Sequence, residues 1–228
     1  MAIKPRDMAK MIDHTNLNPA GTVADIKRLC EEALEFDFAS VCVLPVFVPL
    51  SSRLLEDSSV KVTTVVGFPL GGNTAETKSF ETKNAIKNGA QEIDMVMSIS
   101  AFKSEAYDMV ESDIRAVVDA TKTAGVTSDI IVKVIIETCY LSDEEIIRAC
   151  EIVKSTGADF VKSSTGFGPE NVTTDQIGIM RKTVGRDIGV KAAGGIKNFE
   201  QALDMLDAGA NRIGASAGVN IVTGSDEE

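Results

Sequence analysis

Short runs of apolar residues alternate along the chain with longer segments that read as amphipathic helices. This alternation predicts repeated βαβ units, and therefore a parallel sheet with helices packed on it. Eight runs qualify as strands: 11–16, 40–44, 61–67, 92–98, 130–137, 160–164, 189–193 and 212–215. Because eight strands favour a sheet that closes on itself, the sequence predicts an α/β fold of the (β/α)8 TIM-barrel type.

Capping signals support this division of the chain. Four pairs with capping-box spacing predict helix starts: Asn73 with Glu76, Ser142 with Glu145, Thr173 with Gln176, and Asn198 with Gln201. Five glycines predict helix ends: Gly89, Gly125, Gly157, Gly185 and Gly209. No linker or low-complexity tract interrupts the pattern. We therefore expect one domain over residues 1–228, with 223–228 as a loose acidic tail.

Charge and composition narrow the possible partners. The net charge of −11 disfavours nucleic acid and anionic membranes. No segment is apolar for long enough to span a bilayer, and the N-terminal residues lack the apolar stretch of a secretion signal. The four cysteines show no CxxC spacing and lie in apolar surroundings. We therefore expect reduced thiols in a cytoplasmic protein.

The chain has a single histidine, His14, which excludes several mechanisms. A catalytic metal site normally takes two or three histidine ligands, and a Ser-His-Asp triad would depend on this one residue. We therefore expect no metal, and we interpret His14 as a structural residue.

Lysines occupy strand positions where buried aliphatic residues are usual. Lys162 follows two apolar residues and precedes a Gly-rich turn, Lys191 repeats this arrangement on the next strand, and Lys133 lies among aliphatic residues on the strand before. A buried ammonium without a partner is costly unless its pKa falls. If two of these lysines converge, each lowers the pKa of the other, and one can act as a nucleophile. The alternative for each one alone is a lysine that extends to the rim of the sheet.

Asp94 and a set of glycines are the other candidates for chemistry. Asp94 lies between apolar residues of the fourth predicted strand. It can be the counter-ion of a buried lysine, and a carboxylate there can also carry protons to and from a reacting amine. Gly166, Gly194, Gly195 and Gly214 follow or end the last three strands. A glycine taken alone is more often a plain turn residue, but three such turns at adjacent strand ends favour a phosphate site built from backbone amides.

Six stretches together resemble the deoxyribose-phosphate aldolase family: 65–78, 92–97, 133–138, 160–166, 190–195 and 212–216. The two lysine motifs, Phe-Val-Lys-Ser-Ser-Thr-Gly and Val-Lys-Ala-Ala-Gly-Gly, are the most specific, and the resemblance covers nearly the whole chain. It implies a (β/α)8 barrel that cleaves 2-deoxy-D-ribose 5-phosphate reversibly to acetaldehyde and D-glyceraldehyde 3-phosphate through a lysine Schiff base. It also implies no cofactor, a small phosphorylated sugar or aldehyde as partner, and a homodimer or higher homo-oligomer.

The resemblance assigns expected roles to individual residues. Lys162 corresponds to the Schiff-base lysine, Lys191 to the lysine that lowers its pKa, and Asp94 to the aspartate that moves protons with a bound water. The residues expected to contact the substrate are Asp13, Cys42, Lys133, Thr165, Gly166, Gly194, Gly195, Gly214 and Ser216. The glycines and Ser216 belong to the turns that would hold the phosphate.

Three positions depart from the family pattern. Ala192 follows the second lysine where some relatives have proline, and Ala217 follows Ser216 where some have a second serine. No tyrosine follows Tyr140, whereas longer relatives carry a tyrosine in a C-terminal tail. We therefore expect proton transfer at the enamine to depend on Asp94 and water.

Two other interpretations remain open. A different class I aldolase or a transaldolase on the same barrel would share the lysine chemistry but not the donor substrate. A barrel that binds phosphate without catalysis would serve as a sensor or scaffold. The burial of Lys162, Lys191 and Asp94 together speaks against the second, because buried charges without a function are costly.

Overall fold

Eight parallel strands close into a barrel within residues 3–124 and 129–224, which are the residues that the computed structural model describes. Each strand pairs with its neighbours in chain order, and the first pairs with the last. The strands are β1 (Ile12–Asn16), β2 (Ser40–Val43), β3 (Lys61–Val66), β4 (Glu92–Val96), β5 (Ile131–Ile135), β6 (Phe160–Lys162), β7 (Gly189–Ala193) and β8 (Arg212–Ala215). The predicted (β/α)8 barrel is confirmed, and β7 and β8 have the predicted bounds.

The other six strands are one to three residues shorter than predicted, mostly at their carboxyl ends. After β5 the chain leaves the sheet because Glu137 adopts the left-handed backbone conformation (φ 55°) and Thr138–Tyr140 form a 3₁₀ turn. After β3, Gly67 takes a positive φ of 63°. The residues just beyond these strand ends, which the sequence pattern had predicted to be strand, therefore form loops over the mouth of the barrel.

Helices follow the strands and cover the outside of the barrel. They are α1 (Pro5–Ala9), α2 (Val23–Phe36), α3 (Val48–Leu54), α4 (Ala75–Lys87), α5 (Ile99–Lys103), α6 (Tyr107–Lys122), α7 (Asp143–Thr156), α8 (Thr174–Val184), α9 (Phe199–Asp207) and α10 (Gly218–Thr223). Among the described residues, none of these helices is long and apolar enough to cross a membrane.

Capping residues fix where these helices begin. The predicted capping boxes at Ser142 and Thr173 form, and Asn198 caps α9. A further box at Thr22 and Asp25 begins α2. The sequence analysis missed it because the third helical residue is aspartate, where the usual box has glutamate or glutamine.

The predicted cap at Asn73 is wrong. Helix α4 begins one residue later, after Thr74, whose hydroxyl accepts a hydrogen bond from the amide of Thr77. The side-chain nitrogen of Asn73 instead donates to Glu81 at 2.8 Å. The hydroxyl of Thr74 satisfies the amide of Thr77, whereas Asn73 as the cap would have satisfied the amide of Glu76, so the two neighbouring caps compete and the backbone decides between them.

Helix ends agree with the predicted glycines where the structure describes them. Gly157 ends α7 in the left-handed conformation (φ 82°), and Gly89 follows α4 with φ 107°. Gly125 lies outside the described residues. Thr223 was predicted to belong to the acidic tail, but it is the last residue of α10. Residues 225–228 of the predicted tail lie outside the described part of the chain.

The apolar core lies between the strands and the helices. Outward-facing residues of the strands, such as Ile93, Val134, Val161 and Ile213, are fully buried against helices. They alternate along each strand with residues that point into the barrel, because successive side chains of a strand lie on opposite faces.

The side chains that point into the barrel are mostly polar. The strand registers place them in three tiers, each with four residues from alternate strands. The lowest tier, at the amino ends of the strands, holds Ser40, Glu92, Phe160 and Arg212; the middle tier holds Asp13, Thr63, Lys133 and Lys191; the top tier holds Cys42, Asp94, Lys162 and Gly214. Bulky aliphatic residues usually fill these tiers, whereas most of the twelve residues here are charged.

A separate buried ion pair fastens two helices to the end of β4. The ammonium of Lys78 on α4 donates to Asp113 of α6 at 2.6 Å and to the carbonyl oxygen of Val96 at 2.8 Å. The same Asp113 oxygen accepts from the amide of Ser98 at 3.1 Å. Since both charged side chains are buried, each depends on the other for compensation of its lost hydration.

We predict that Lys78→Met lowers the free energy of unfolding by about 3–5 kcal/mol, because Asp113 remains buried without its cation. The measurement is urea denaturation monitored by circular dichroism. Lys83→Met is the control, since Lys83 is an exposed residue of the same helix, and its effect should stay within about 0.5 kcal/mol. A loss of less than about 1 kcal/mol for Lys78→Met would contradict the prediction.

Candidate active site

Two lysines meet at one carboxylate oxygen near the top of the barrel. The ammonium of Lys162 donates to Oδ2 of Asp94 at 2.7 Å, and the ammonium of Lys191 donates to the same oxygen at 2.7 Å. Lys191 also donates to Asp13. Lys162 and Lys191 are register partners on neighbouring strands, so their side chains enter the barrel side by side. The convergence of two strand lysines that the sequence suggested is therefore present.

Lys133 lies in the middle tier of the barrel, buried among carboxylates. Its ammonium lies 2.9 Å from Oδ1 of Asp94, 2.5 Å from Glu92 and 3.7 Å from Asp13. The sequence treated the three lysines as equivalent, but Lys133 is enclosed by three carboxylates. This environment holds a proton on Lys133 and removes it from the candidates for a nucleophile.

Arg212 completes the set of charges from below. Its guanidinium lies 2.7 Å from Asp13 and 3.4 Å from Glu92, and it packs over the ring of Phe160 at 5.7 Å. We call the following seven residues the barrel charge network: Asp13, Glu92, Asp94, Lys133, Lys162, Lys191 and Arg212. Sequence analysis missed Glu92 and Arg212, although two-residue alternation with Asp94 and Gly214 would have placed them on the inward face.

The charges in the network do not balance. In the described part of the chain, the barrel interior holds four basic side chains and three carboxylates. Arg212, Lys133 and Lys191 each contact two or more carboxylates. Lys162 contacts one carboxylate oxygen, which it shares with Lys191. A neutral Lys162 would therefore leave three cations facing three anions.

The pKa values of the two neighbouring lysines move in opposite directions. Burial lowers the pKa of Lys162, the charge of Lys191 lowers it further, and the opposing attraction of Asp94 does not restore it. Burial also acts to lower the pKa of Lys191, but the attraction of Asp13 and Asp94 outweighs it and the pKa is raised. Lys191 thus stays charged while Lys162 is the one that loses its proton most easily.

The carboxylates of the site are held in the ionised form. Burial acts to raise the pKa of Asp94, but the charges of Lys133, Lys162 and Lys191 hold it well below its usual range. The pKa of Asp13 is likewise lowered, because its lysine and arginine neighbours outweigh burial. An ionised Asp94 that touches the amine of Lys162 can accept a proton from it.

Cys42 lies in the top tier beside this group but is fully buried. Burial, followed by the nearby negative charge of Asp94, raises the pKa of its thiol to about 11. The thiol therefore stays protonated at neutral pH. With Leu17 and Val65 it forms a small apolar cluster at the mouth of the barrel, separate from the main core.

A cavity of about 560 Å³ opens above the network at the carboxyl ends of the strands. Seven of the residues proposed from the sequence line it: Lys162, Thr165, Gly166, Gly194, Gly195, Gly214 and Ser216. The other five lie buried beneath or beside it: Asp13, Cys42, Asp94, Lys133 and Lys191. Lys162 is thus the member of the charge network that reaches the cavity.

The loop after β6 is held by Glu137. The amide of Thr165 donates to the Glu137 carboxylate at 3.1 Å, and the Thr165 hydroxyl donates to it as well. The amide of Phe167 in turn donates to the Thr165 hydroxyl oxygen at 3.0 Å. Gly166 lies between them with φ 86°, a conformation that favours glycine. Thr165 therefore shapes this wall of the cavity through Glu137.

Gly214, which lines the cavity, also has a role that its sequence position did not suggest. It is a residue of β8 whose missing side chain leaves space for Lys191: a Cβ at this position would lie 3.0 Å from Cε of Lys191 and 3.2 Å from Cβ of Ala193. The sequence analysis had grouped it with the amide donors of the turns. The structure shows it as the gap in the top tier that Lys191 occupies.

A parallel (β/α)8 barrel with a buried lysine of lowered pKa at its mouth, beside a second lysine and a carboxylate, has the site of a class I aldolase, an enzyme that binds its substrate as a Schiff base. The chain belongs to the DeoC/LacD family of aldolases, whose family model matches residues 7–224.

Named relatives agree with this assignment. The chain is 60% identical to the deoxyribose-phosphate aldolase of Caldanaerobacter subterraneus subsp. tengcongensis over 95% of this chain and 92% of the relative. It is 53% identical to that of Clostridium tetani over 95% and 98% of the two chains. Among solved structures, it is similar to the deoxyribose phosphate aldolase of Aeropyrum pernix, with a TM-score of 0.88, 31% identity, and coverage of 96% and 91%. It is also similar to an aldolase called QR15, with a TM-score of 0.89, 40% identity, and coverage of 95% and 94%.

We predict that Gly214→Ala lowers kcat/KM for aldol cleavage about ten-fold, because the new methyl group pushes Lys191 away from Asp94. Steady-state kinetics provide the measurement. Gly178→Ala is the matched control, since a Cβ at position 178 of α8 meets nothing within 4 Å. If both variants keep the parental kcat/KM, the top tier tolerates the methyl group and the assigned role of Gly214 is wrong.

Proposed function

We propose that the protein catalyses the reversible cleavage of 2-deoxy-D-ribose 5-phosphate to acetaldehyde and D-glyceraldehyde 3-phosphate. The observation that carries the chemistry is the placement of Lys162, whose amine faces the cavity and whose pKa is lowered by burial and by Lys191. The relatives named deoxyribose-phosphate aldolase, at 60% and 53% identity, support the choice of substrate.

Lys162 begins the reaction as the nucleophile. Its neutral amine adds to the aldehyde carbon C1 of the open-chain sugar, and the carbonyl oxygen takes up a proton to give a carbinolamine. Asp94, 2.7 Å from the amine, accepts the proton that the nitrogen loses. The hydroxyl group then leaves as water with a returned proton, and the product is an iminium ion on Lys162.

The iminium ion is the electron sink for carbon–carbon cleavage. The C3 hydroxyl loses its proton, the electron pair of the C2–C3 bond moves toward the iminium nitrogen, and D-glyceraldehyde 3-phosphate leaves. An enamine of two carbons remains on Lys162. Protonation at C2 restores an iminium ion, and water hydrolyses it to acetaldehyde and the free amine. Asp94 and water carry these protons in the proposed mechanism.

Lys191 keeps Lys162 in its reactive form. Because it is bound to both Asp13 and Asp94, it stays cationic and repels a proton from Lys162. Each unit by which a lysine pKa falls requires about 1.4 kcal/mol of differential interaction between its charged and neutral forms. One neighbouring ammonium together with burial supplies interactions of that order.

The phosphate group is proposed to bind in the cavity at the turns after β6, β7 and β8. Gly166, Gly194 and Gly195 line the cavity and have positive φ values, a conformation that favours glycine. Because glycine has no side chain, their backbones are open to the cavity. Ser216 adds a hydroxyl, and Lys197 adds a positive charge to the same cavity. Local donors of this kind attract a phosphate even though the whole chain carries a net charge of −11.

We also propose that the protein works as a homo-oligomer in the cytoplasm. The Aeropyrum pernix relative, 31% identical, is described as having a tetrameric structure, which supports self-association. All four cysteines are free thiols, which fits a reducing compartment.

The test of the nucleophile is borohydride trapping. Reduction in the presence of acetaldehyde, followed by peptide mass mapping, should give one adduct, on Lys162. Lys162→Ala should lose both the adduct and turnover of 2-deoxy-D-ribose 5-phosphate, while fructose bisphosphate and keto-acid phosphates should not be cleaved by the parent. An adduct on another lysine, or turnover that survives Lys162→Ala, would disprove the mechanism.

Lys191→Met tests how the amine is kept neutral. Without the neighbouring ammonium, and with Oδ2 of Asp94 left to Lys162, the pKa of Lys162 should rise. The amine is neutral only above its pKa, so the acid limb of kcat/KM should move to higher pH and the value at pH 7 should fall about 100-fold. A pH profile with full kinetics at each point is the measurement. An unmoved acid limb would show that Lys191 has another role.

A further inference from the structure

We propose that Arg212 and Glu92, at the closed end of the barrel, are positioning residues that set the pH at which Lys162 becomes a nucleophile. This inference rests on the proposed function of Lys162. Arg212 is the first residue of β8 and Glu92 the first of β4, whereas Lys162 is the last residue of β6. Arg212 and Glu92 therefore lie in the lowest tier and Lys162 in the top tier, below the cavity.

Neither residue can touch the substrate. The cavity is lined by residues at the carboxyl ends of the strands, by the loops above them and by helix α2, and Arg212 and Glu92 are absent from that lining. Two tiers of side chains separate them from the cavity floor, because parallel strands all begin at the same end of the barrel. Any effect of Arg212 or Glu92 on the reaction must therefore pass through the side chains between.

Two unbroken paths of ion pairs make that connection. On one side, Arg212 lies 2.7 Å from Asp13, and Asp13 pairs with Lys191. Lys191 then shares an oxygen of Asp94 with Lys162.

The second path runs through the other carboxylate of the lowest tier. Arg212 lies 3.4 Å from Glu92, Glu92 lies 2.5 Å from Lys133, and Lys133 lies 2.9 Å from Asp94. Lys162 is at the end of both paths, with a single shared oxygen as its partner. Arg212 keeps 14% of its side chain exposed, but the other six residues of the network are buried, so a charge lost at the bottom reaches the top through a region of weak screening.

The sign of the effect follows from the charge count. With Arg212 present, four basic groups face three carboxylates, and the proton on the least compensated group, Lys162, has the highest free-energy cost. Without the guanidinium charge, three lysines face three carboxylates, so Lys162 can keep its proton and its pKa should rise. Without the charge of Glu92, four basic groups face two carboxylates, and the proton on Lys162 should be lost at lower pH.

Other titratable groups facing these residues do not change the sign. Lys162 faces Asp94 of β4, Lys191 of β7 and the protonated thiol of Cys42 on β2. Arg212 faces Asp13 of β1 and Glu92 of β4. Cys42 carries no charge near neutrality, so the carboxylates and amines of the network set the balance.

The experiment measures the rate of borohydride-trapped adduct formation with acetaldehyde from about pH 5 to 10, a range that lies below the ordinary lysine pKa of about 10.4. Relative to the parent, Arg212→Gln should move the midpoint up by about one pH unit, and Glu92→Gln should move it down by a similar amount. This is the effect of a unit charge roughly 10 Å away at an effective dielectric constant of about 20. Arg212→Lys should restore a midpoint near that of the parent.

A structural role alone would give a different result. Phe160→Leu changes packing in the same lowest tier without changing charge, so it should lower stability and leave the midpoint in place. If Arg212→Gln and Glu92→Gln both leave the midpoint unmoved, or move it in the same direction, the proposal is wrong.

The remaining outcomes also decide the matter. If Arg212→Gln does not fold, as judged by circular dichroism, Glu92→Gln alone decides: a midpoint at or above that of the parent overturns the proposal. A parent protein that forms no adduct on Lys162 would refute the proposed function itself, which is a separate result.

Discussion

A surplus of positive charge in the buried interior of the barrel is the constraint on which this protein depends. An ammonium in a barrel interior is tolerated when carboxylates surround it, and three carboxylates here provide full compensation for three of the four basic groups. Lys162 is left with one shared oxygen at the edge of the cavity. The proposed nucleophile is thus produced by an imbalance of the whole interior, of which its contact with Lys191 is one part.

Stability has to come from elsewhere, because a buried ion network contributes little net free energy to folding. The layer between strands and helices provides it, through outward-facing residues such as Ile93 and Val161. Strand alternation separates the two tasks, since one face of each strand serves the apolar core and the other serves the charge network. Outside the barrel, the buried Lys78–Asp113 ion pair links α4 and α6 to the end of β4, the strand that carries Asp94.

Local patterns predicted most of the fold and the residues nearest the chemistry. Strand alternation and Gly-rich turns identified Lys162, Lys191 and Asp94, because a lysine or aspartate among aliphatic residues is conspicuous in any short window. Glu92 and Arg212 were missed because a charged residue at the start of a strand looks like an exposed one. Asn73 was preferred to Thr74 as a cap because Glu76 gives it capping-box spacing, and only the local backbone decides between the two residues.

The sequence by itself determined the number and order of the strands, most helix starts, and the lysines that a buried strand would have to accommodate. These follow from interactions within a few residues, and such interactions can be read from spacing. Only the tertiary structure decided which carboxylate holds which lysine, that Lys133 is enclosed by three carboxylates while Lys162 reaches the cavity, and that Gly214 leaves space for Lys191. Those outcomes depend on the closure and stagger of the barrel, which bring together residues from strands far apart in the chain, and electrostatic balance is a property of that assembled group.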